Sequence, residues 1–201
     1  MVQPAAALYS RAAAAEILYL LDDGSWQGVS GAVLSGEREL QRIAVRYDDG
    51  TCVVANGHLT KRALGRVFGR DIDLPPCGYQ VWNDAHGLEI EASDRTGART
   101  DYSASEDAVY LDTRSASEPV AFARARGKGI AVCRREGGGW EIIPVRGNVS
   151  FRVPGSAVRA YGESREDLGN AAMTRDRDGF VRITPVPGAF SYLVEEEKGK
   201  E

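Results

Sequence analysis

Arg42-Ile43-Ala44-Val45-Arg46-Tyr47-Asp48-Asp49-Gly50-Thr51-Cys52-Val53-Val54-Ala55 reads as two strands and the turn between them. Ile43, Val45 and Tyr47 alternate with their neighbours at the two-residue period of a strand with one face turned inward. Asp48-Asp49-Gly50-Thr51 supplies the turn, because glycine takes the positive φ that a tight hairpin requires. Cys52-Val53-Val54-Ala55 returns as the partner strand.

The same pattern extends downstream. Leu74-Pro75-Pro76-Cys77-Gly78-Tyr79 stiffens the chain and launches Gln80-Val81-Trp82. Leu88-Glu89-Ile90-Glu91-Ala92 alternates, and Val109-Tyr110-Leu111-Asp112 is another short strand. Further strands are expected over residues 120–123, 129–134, 140–145, 149–153, 157–161, 180–184 and 190–194, with Gly137-Gly138-Gly139 and Asp178-Gly179 as turns. The Gly- and Arg-rich residues 57–70 read as a loop, and Ser115-Ala116-Ser117-Glu118-Pro119 as a linker. Brief strands at regular spacing predict antiparallel β-sandwich units, one over residues 25–114 and one over 115–201.

Upstream, residues 5–21 predict the one helix, with Pro4 near its first turn and Asp22-Asp23-Gly24 as its end. Leu8, Ala12, Ala15, Ile17, Leu18, Leu20 and Leu21 make it apolar on nearly every side, so it demands burial all round. The expected surface would drive self-association or packing against another domain. Arg11 in mid-segment and Glu16 within the apolar run argue against a signal peptide. No run approaches the roughly 20 apolar residues of a membrane helix.

Of 201 residues, 43% are hydrophobic and 27% charged, which allows a buried core. A net charge of -4 with mixed signs argues against a nucleic-acid partner. Arg124, Arg126, Lys128, Arg134 and Arg135 could meet an anion, but read first as a solvated strand face. Cys52, Cys77 and Cys133 form no metal or disulfide framework and read as small core residues, with one bridge plus a free thiol left open.

No catalytic set, metal site or cofactor motif emerges. Glu89 and Glu91 sit about 7 Å apart on one strand face, a spacing relevant to glycoside hydrolysis. With Leu88, Ile90 and Ala92 inward, however, both should face solvent. Asp71 and Asp73 read as turn or capping residues. His58 and His86 lie outside any nucleophile motif. Gly65 to Gly69 and Gly127-Lys128-Gly129 lack the strand–loop–helix setting of a phosphate cradle. Sugar binding is the better chemical expectation, since aromatic faces stack on sugar rings. Trp82, flanked by Gln80 and Asn83, is the nearest candidate platform, with Trp140 second and Trp26, Tyr79, Tyr102 and Tyr110 behind them. Core packing competes with that role at each tryptophan.

Residues 43–79 and the later Arg99-Thr100-Asp101-Tyr102 and Tyr110-Leu111-Asp112 resemble the β-sandwich region that follows the catalytic barrel in large glycoside hydrolases, such as those similar to endo-α-N-acetylgalactosaminidases. Residues 178–192 are similar, more generically, to immunoglobulin-like modules of such enzymes. Cys77 stands where that pattern has an aromatic. The resemblance implies a mainly β protein of two small immunoglobulin-like sandwich units and one N-terminal helix. It also implies a non-catalytic role, packing against and supporting a catalytic barrel, with a carbohydrate-binding module or a standalone hydrolase as alternatives.

Overall fold

A computed structural model describes residues 5, 10–37, 40–94, 97–114 and 116–196. The chain is mainly β and antiparallel throughout, and it divides into two compact units. The first holds Met1–Arg95 with Arg99–Glu106, the second Thr96–Ala98 with Asp107–Glu201.

The first unit is a meander with one hairpin laid over it. Its strands are β1 (Ala14–Leu20), β2 (Trp26–Gly28), β3 (Arg42–Tyr47), β4 (Cys52–Asn56), β5 (Ala63–Val67), β6 (Arg70–Leu74), β7 (Tyr79–Asn83), β8 (Leu88–Ser93) and β9 (Thr100–Ala104). The main sheet runs β9-β8-β7-β4-β3-β1-β2, and β5 pairs only with β6. The β3–β4 hairpin forms as its alternation predicts, with Val45 opposite Val53. Asp49 secures its turn by accepting from Thr51 N and Thr51 Oγ1 at 2.8 and 3.0 Å. The β5–β6 hairpin closes one face of the sheet. Its Ala63, Val67, Ile72 and Leu74 pack with Leu20, Ala44, Cys52, Val54 and Trp82. On the opposite face Val81, Leu88 and Ile90 form a second cluster, with Val53 and Tyr79 against it.

The expected helix over residues 5–21 is corrected. Ala5 is helical, but Ala14–Leu20 is a strand paired with both β2 and β3. Residues 6–9, Leu8 among them, lie outside the described residues. Strand pairing overrides the helix propensity of Ala14-Ala15-Glu16-Ile17-Leu18-Tyr19-Leu20, as tertiary context often does. It also accounts for the all-round apolarity. A strand between two neighbours, with side chains on both faces of a two-layered unit, needs apolar groups on both sides. Leu20 and Leu21 are buried within the unit, so this segment does not present the helical surface expected to seek a partner. The helix among the described residues is α1, Val29–Leu34.

The second unit contains β10 (Ala108–Asp112), β11 (Val120–Ala121), β12 (Ala125–Glu136), β13 (Gly139–Arg152), β14 (Ala157–Tyr161), β15 (Asp167–Asn170), β16 (Met173–Arg175), β17 (Phe180–Ile183) and β18 (Ser191–Glu195). Its order is β15-β14-β18-β13-β12-β10. β11 also pairs with β12, and β17 links β13 to β16. The long β12–β13 hairpin is the spine. It turns at Gly137-Gly138, both at positive φ, and stays paired from Glu136↔Gly139 to Ala125↔Phe151. Residues 140–145 and 149–153, expected as two strands, are therefore largely one. Glycine in the left-handed region carries no Cβ penalty, which is why the Gly137-Gly138 turn was legible.

Candidate functional site

The aromatic platform expected around Trp82 is enclosed. Trp82 is 3% exposed, in the core under β5–β6, and the Arg70 guanidinium lies 4.9 Å from its ring centroid. Residues 57–70, read as a loop, contain most of the hairpin that covers it. Asn83, also buried, donates to Asp49 O and Thr51 Oγ1 at 3.2 and 3.0 Å and accepts from Ala85 N. It therefore braces two turns. Gln80 is half-buried at the edge of a small cleft lined by Arg62, Asp71, Asp73, Glu91 and Asp94. Trp140 belongs to the second unit, is 2% exposed, and donates from Nε1 to Glu196 Oε1 at 3.0 Å. Trp26 packs against the first unit's core, and Tyr102 is fully buried.

The acidic candidates are re-placed too. Glu91 is 4% exposed, not solvated, because the β5–β6 layer covers the face it shares with Gln80. In the same cleft Arg62 donates to Asp73 at 2.6 Å and to Asp94 at 2.7 Å. The Arg62 hydrogen bond holds the Asp94 carboxyl below its usual range, against the opposing effect of burial. These carboxylates are tied into a structural ion network. His58 Nδ1 accepts from Thr60 N and Lys61 N, a turn brace, and His86 is exposed in a 3-10 turn. Among the described residues no group of three His, Cys, Asp or Glu is placed to hold a metal ion. All three cysteines are free. Cys52 and Cys133 are buried, and desolvation pushes both thiols up. Cys77, expected in the core, is exposed at a backbone φ of 56°.

The site with the strongest chemical character lies in the second unit. A groove of about 1070 Å³ is lined by Arg114, Arg126, Lys128, Arg146, Arg175 and Arg182, with Asp176 the one carboxylate on its wall among the described residues. The β12–β13 spine gathers these cations. Pairing places Lys128 opposite Asn148 and Gly129 opposite Gly147. At this crossing the strands are too close for side chains. A Cβ on Gly127 would lie 2.1 Å from Asn148 O, one on Gly129 2.0 Å from Arg146 O, and one on Gly147 2.2 Å from Lys128 O. Thr113 fastens the neighbouring loop, since Gly129 N donates to Thr113 Oγ1 at 2.8 Å and Thr113 N to Gly129 O at 2.9 Å. That contact sets Arg114 beside the groove.

The way these cations are held matters most. Lys128 Nζ donates to Ser117 O at 2.9 Å and Arg146 Nη2 to Arg114 O at 2.9 Å. Arg175 donates to the carbonyls of Val153, Gly179 and Gly155 at 2.6–2.9 Å. Carbonyl acceptors orient a cation without cancelling its charge. Arg182 has no polar partner among the described residues. Arg126 is neutralised by Asp176 and, at 3.5 Å, Asp178, while its guanidinium lies 4.3 Å from the Phe180 ring. The groove thus carries a surplus of positive charge in a chain whose net charge is -4. Lys128, Arg146, Arg175 and Arg182 can meet an anion without first breaking an ion pair among the described residues.

Sequence reading weighed Arg126 and Lys128 as an anion contact but missed the site. Its cations are spread over residues 114–182, and only the fold unites them. One signal was available: folding the chain back at Gly137-Gly138 brings Arg126-Gly127-Lys128-Gly129 against Arg146-Gly147-Asn148. Comparison with known protein families, curated proteins and solved structures finds no match for this chain.

Proposed function

We propose that this chain is a non-catalytic accessory module of a sugar-cleaving enzyme, and that its own contribution is to hold an anionic ligand in the groove of the second unit. The observation that carries the binding role is the set of groove cations anchored by carbonyls rather than carboxylates. Preorganised and unneutralised cations attract anions and lose little side-chain entropy on binding them. The accessory role rests on the resemblance over residues 43–79. It gains support from α1, whose Val29, Val33 and Leu34 are exposed as a packing surface for a neighbouring domain would be. The immunoglobulin-like sandwich character of the units belongs to the same proposal. The β5–β6 layer over the first sheet supports a sandwich in the broad sense.

The test is retention on dextran sulfate against neutral dextran. The expected result is binding to the sulfated polymer alone, weakening steeply with added salt. The Arg146→Ala/Arg182→Ala double variant should lose about tenfold or more in affinity, the equivalent of about 1.4 kcal/mol. Equal behaviour on both polymers, or a double variant that binds like the wild type, overturns it.

A further inference from the structure

Resting on that reading of the groove, we infer that its ligand is an acidic oligosaccharide, a chain of sugar rings bearing carboxylate or sulfate groups. The groove does not end at β13. A second cleft of about 510 Å³ opens along the same strand, and Arg146, Gly147, Asn148, Ser150, Thr174 and Arg182 line both. The second cleft exists because β13 changes partners. β18 pairs with residues 139–142 and β17 with 151–152, so the intervening edge is left unpaired on that side among the described residues. The β17–β18 connection, with Pro185, Val186 and Ala189, forms the far wall.

The chemistry of the second cleft differs from that of the groove. Val145, Val149, Ile183 and Val186 offer apolar surface, while Asn148, Ser150, Thr174 and Thr184 bring amide and hydroxyl groups. A sugar ring presents the matching pair, an apolar C–H face and hydroxyls at its rim. A chain of such rings bearing acidic groups would set charges on Arg146, Arg182 and Lys128 and a ring in the slot. An inorganic anion would leave the slot empty.

Two other polyanions fit less well. An acidic peptide added as a strand to the open edge draws on the backbone donors of that edge. Pro144 on one wall and Pro185 on the other have no backbone N–H to give. Single-stranded nucleic acid is held by stacking its bases on aromatic faces. The aromatic ring on the groove wall, Phe180, is buried beneath Arg126 and Arg152 at 4.3 and 4.9 Å.

The experiment compares three probes of similar charge by calorimetric titration of the whole chain: hexagalacturonate, hexaglutamate and a thymidine hexanucleotide. Hexagalacturonate should bind tightest. Thr184→Trp, which fills the slot from an exposed position, should weaken it by about tenfold while leaving the binding of inorganic polyphosphate, which has no ring to enter the slot, unchanged. Ala189→Trp gives a second, independent block should the first variant fold poorly. If inorganic polyphosphate binds but hexagalacturonate is no better than hexaglutamate or the hexanucleotide, the glycan assignment fails and the anion groove stands. The same holds if neither tryptophan affects hexagalacturonate. If no polyanion binds at all, both readings fall.

Discussion

The first unit and the groove of the second treat positive charge in opposite ways. In the first unit Arg42 and Lys61 share Asp22 at 2.6 and 2.7 Å, Arg62 bridges Asp73 and Asp94, and Arg70 meets Asp84 at 2.5 Å. In the groove Lys128, Arg146 and Arg175 are held by carbonyl oxygens, and Arg182 by no polar group among the described residues. A cation with a carboxylate partner contributes to its own unit's stability. A cation fixed among other cations raises the energy of the unliganded protein and lowers it when an anion arrives. Natural sites often give up stability in this way.

The comparison breaks most visibly at the aromatics. Trp82→Ala should cost about 3–5 kcal/mol in urea unfolding, the usual loss for a buried tryptophan, and unfold the first unit while leaving anion binding in place. If Trp82→Ala folds normally but abolishes binding to a glycan, the roles of the two units are reversed. Glycine positions sharpen the contrast next. Gly129→Val should destabilise the second unit by about 3 kcal/mol, because its side chain meets the Arg146 carbonyl. Gly50→Ala in the first unit has open space and only a positive φ to satisfy, so it should cost about 1 kcal/mol. Equal losses in urea titration would show that the close crossing of β12 and β13 is not what demands glycine.

Arg62→Ala should cost about 1 kcal/mol at neutral pH, modest because Arg62 and Asp94 are each about a third exposed and screened by water. Its pH dependence has a definite sign. The Arg62 hydrogen bond depresses the folded Asp94 carboxyl below its usual 3.8. The stabilisation is therefore full above that value and is lost as pH falls through the lowered one, where wild type and variant should converge. A gap that widens in acid would contradict the pairing. The smallest effect belongs to the groove. Arg146→Ala and Arg182→Ala should each change stability by less than about 0.5 kcal/mol, and in the stabilising direction at low salt. A loss above about 1 kcal/mol would place them with the structural cations of the first unit.

What the sequence disclosed follows from how local each signal is. The β3–β4 turn at Asp48-Asp49-Gly50 and the β12–β13 turn at Gly137-Gly138 depend on adjacent residues and were legible. β1 was not, because Ala, Leu and Glu favour a helix in isolation and only pairing with β2 and β3 makes them a strand. β5 was hidden by Gly65 and its arginines, although Asp71, Ile72, Asp73 and Leu74 alternate in β6. That one omission explains two errors. With no layer expected on that side of the sheet, Trp82 was left open as a sugar platform and Glu91 was read as solvated. The groove was illegible for a different reason. Its charge balance is a property of which carbonyls and carboxylates lie within reach, and no local pattern records that.

Residue-resolved titration of isotopically labelled protein with hexagalacturonate, followed by amide chemical shifts, tests the central claim most directly. The predicted result is saturable shifts confined to residues 126–129, 146–150 and 182–189, with the amides around Trp82 and Arg62 unmoved. Shifts centred on the first unit, or none at any concentration, would contradict it.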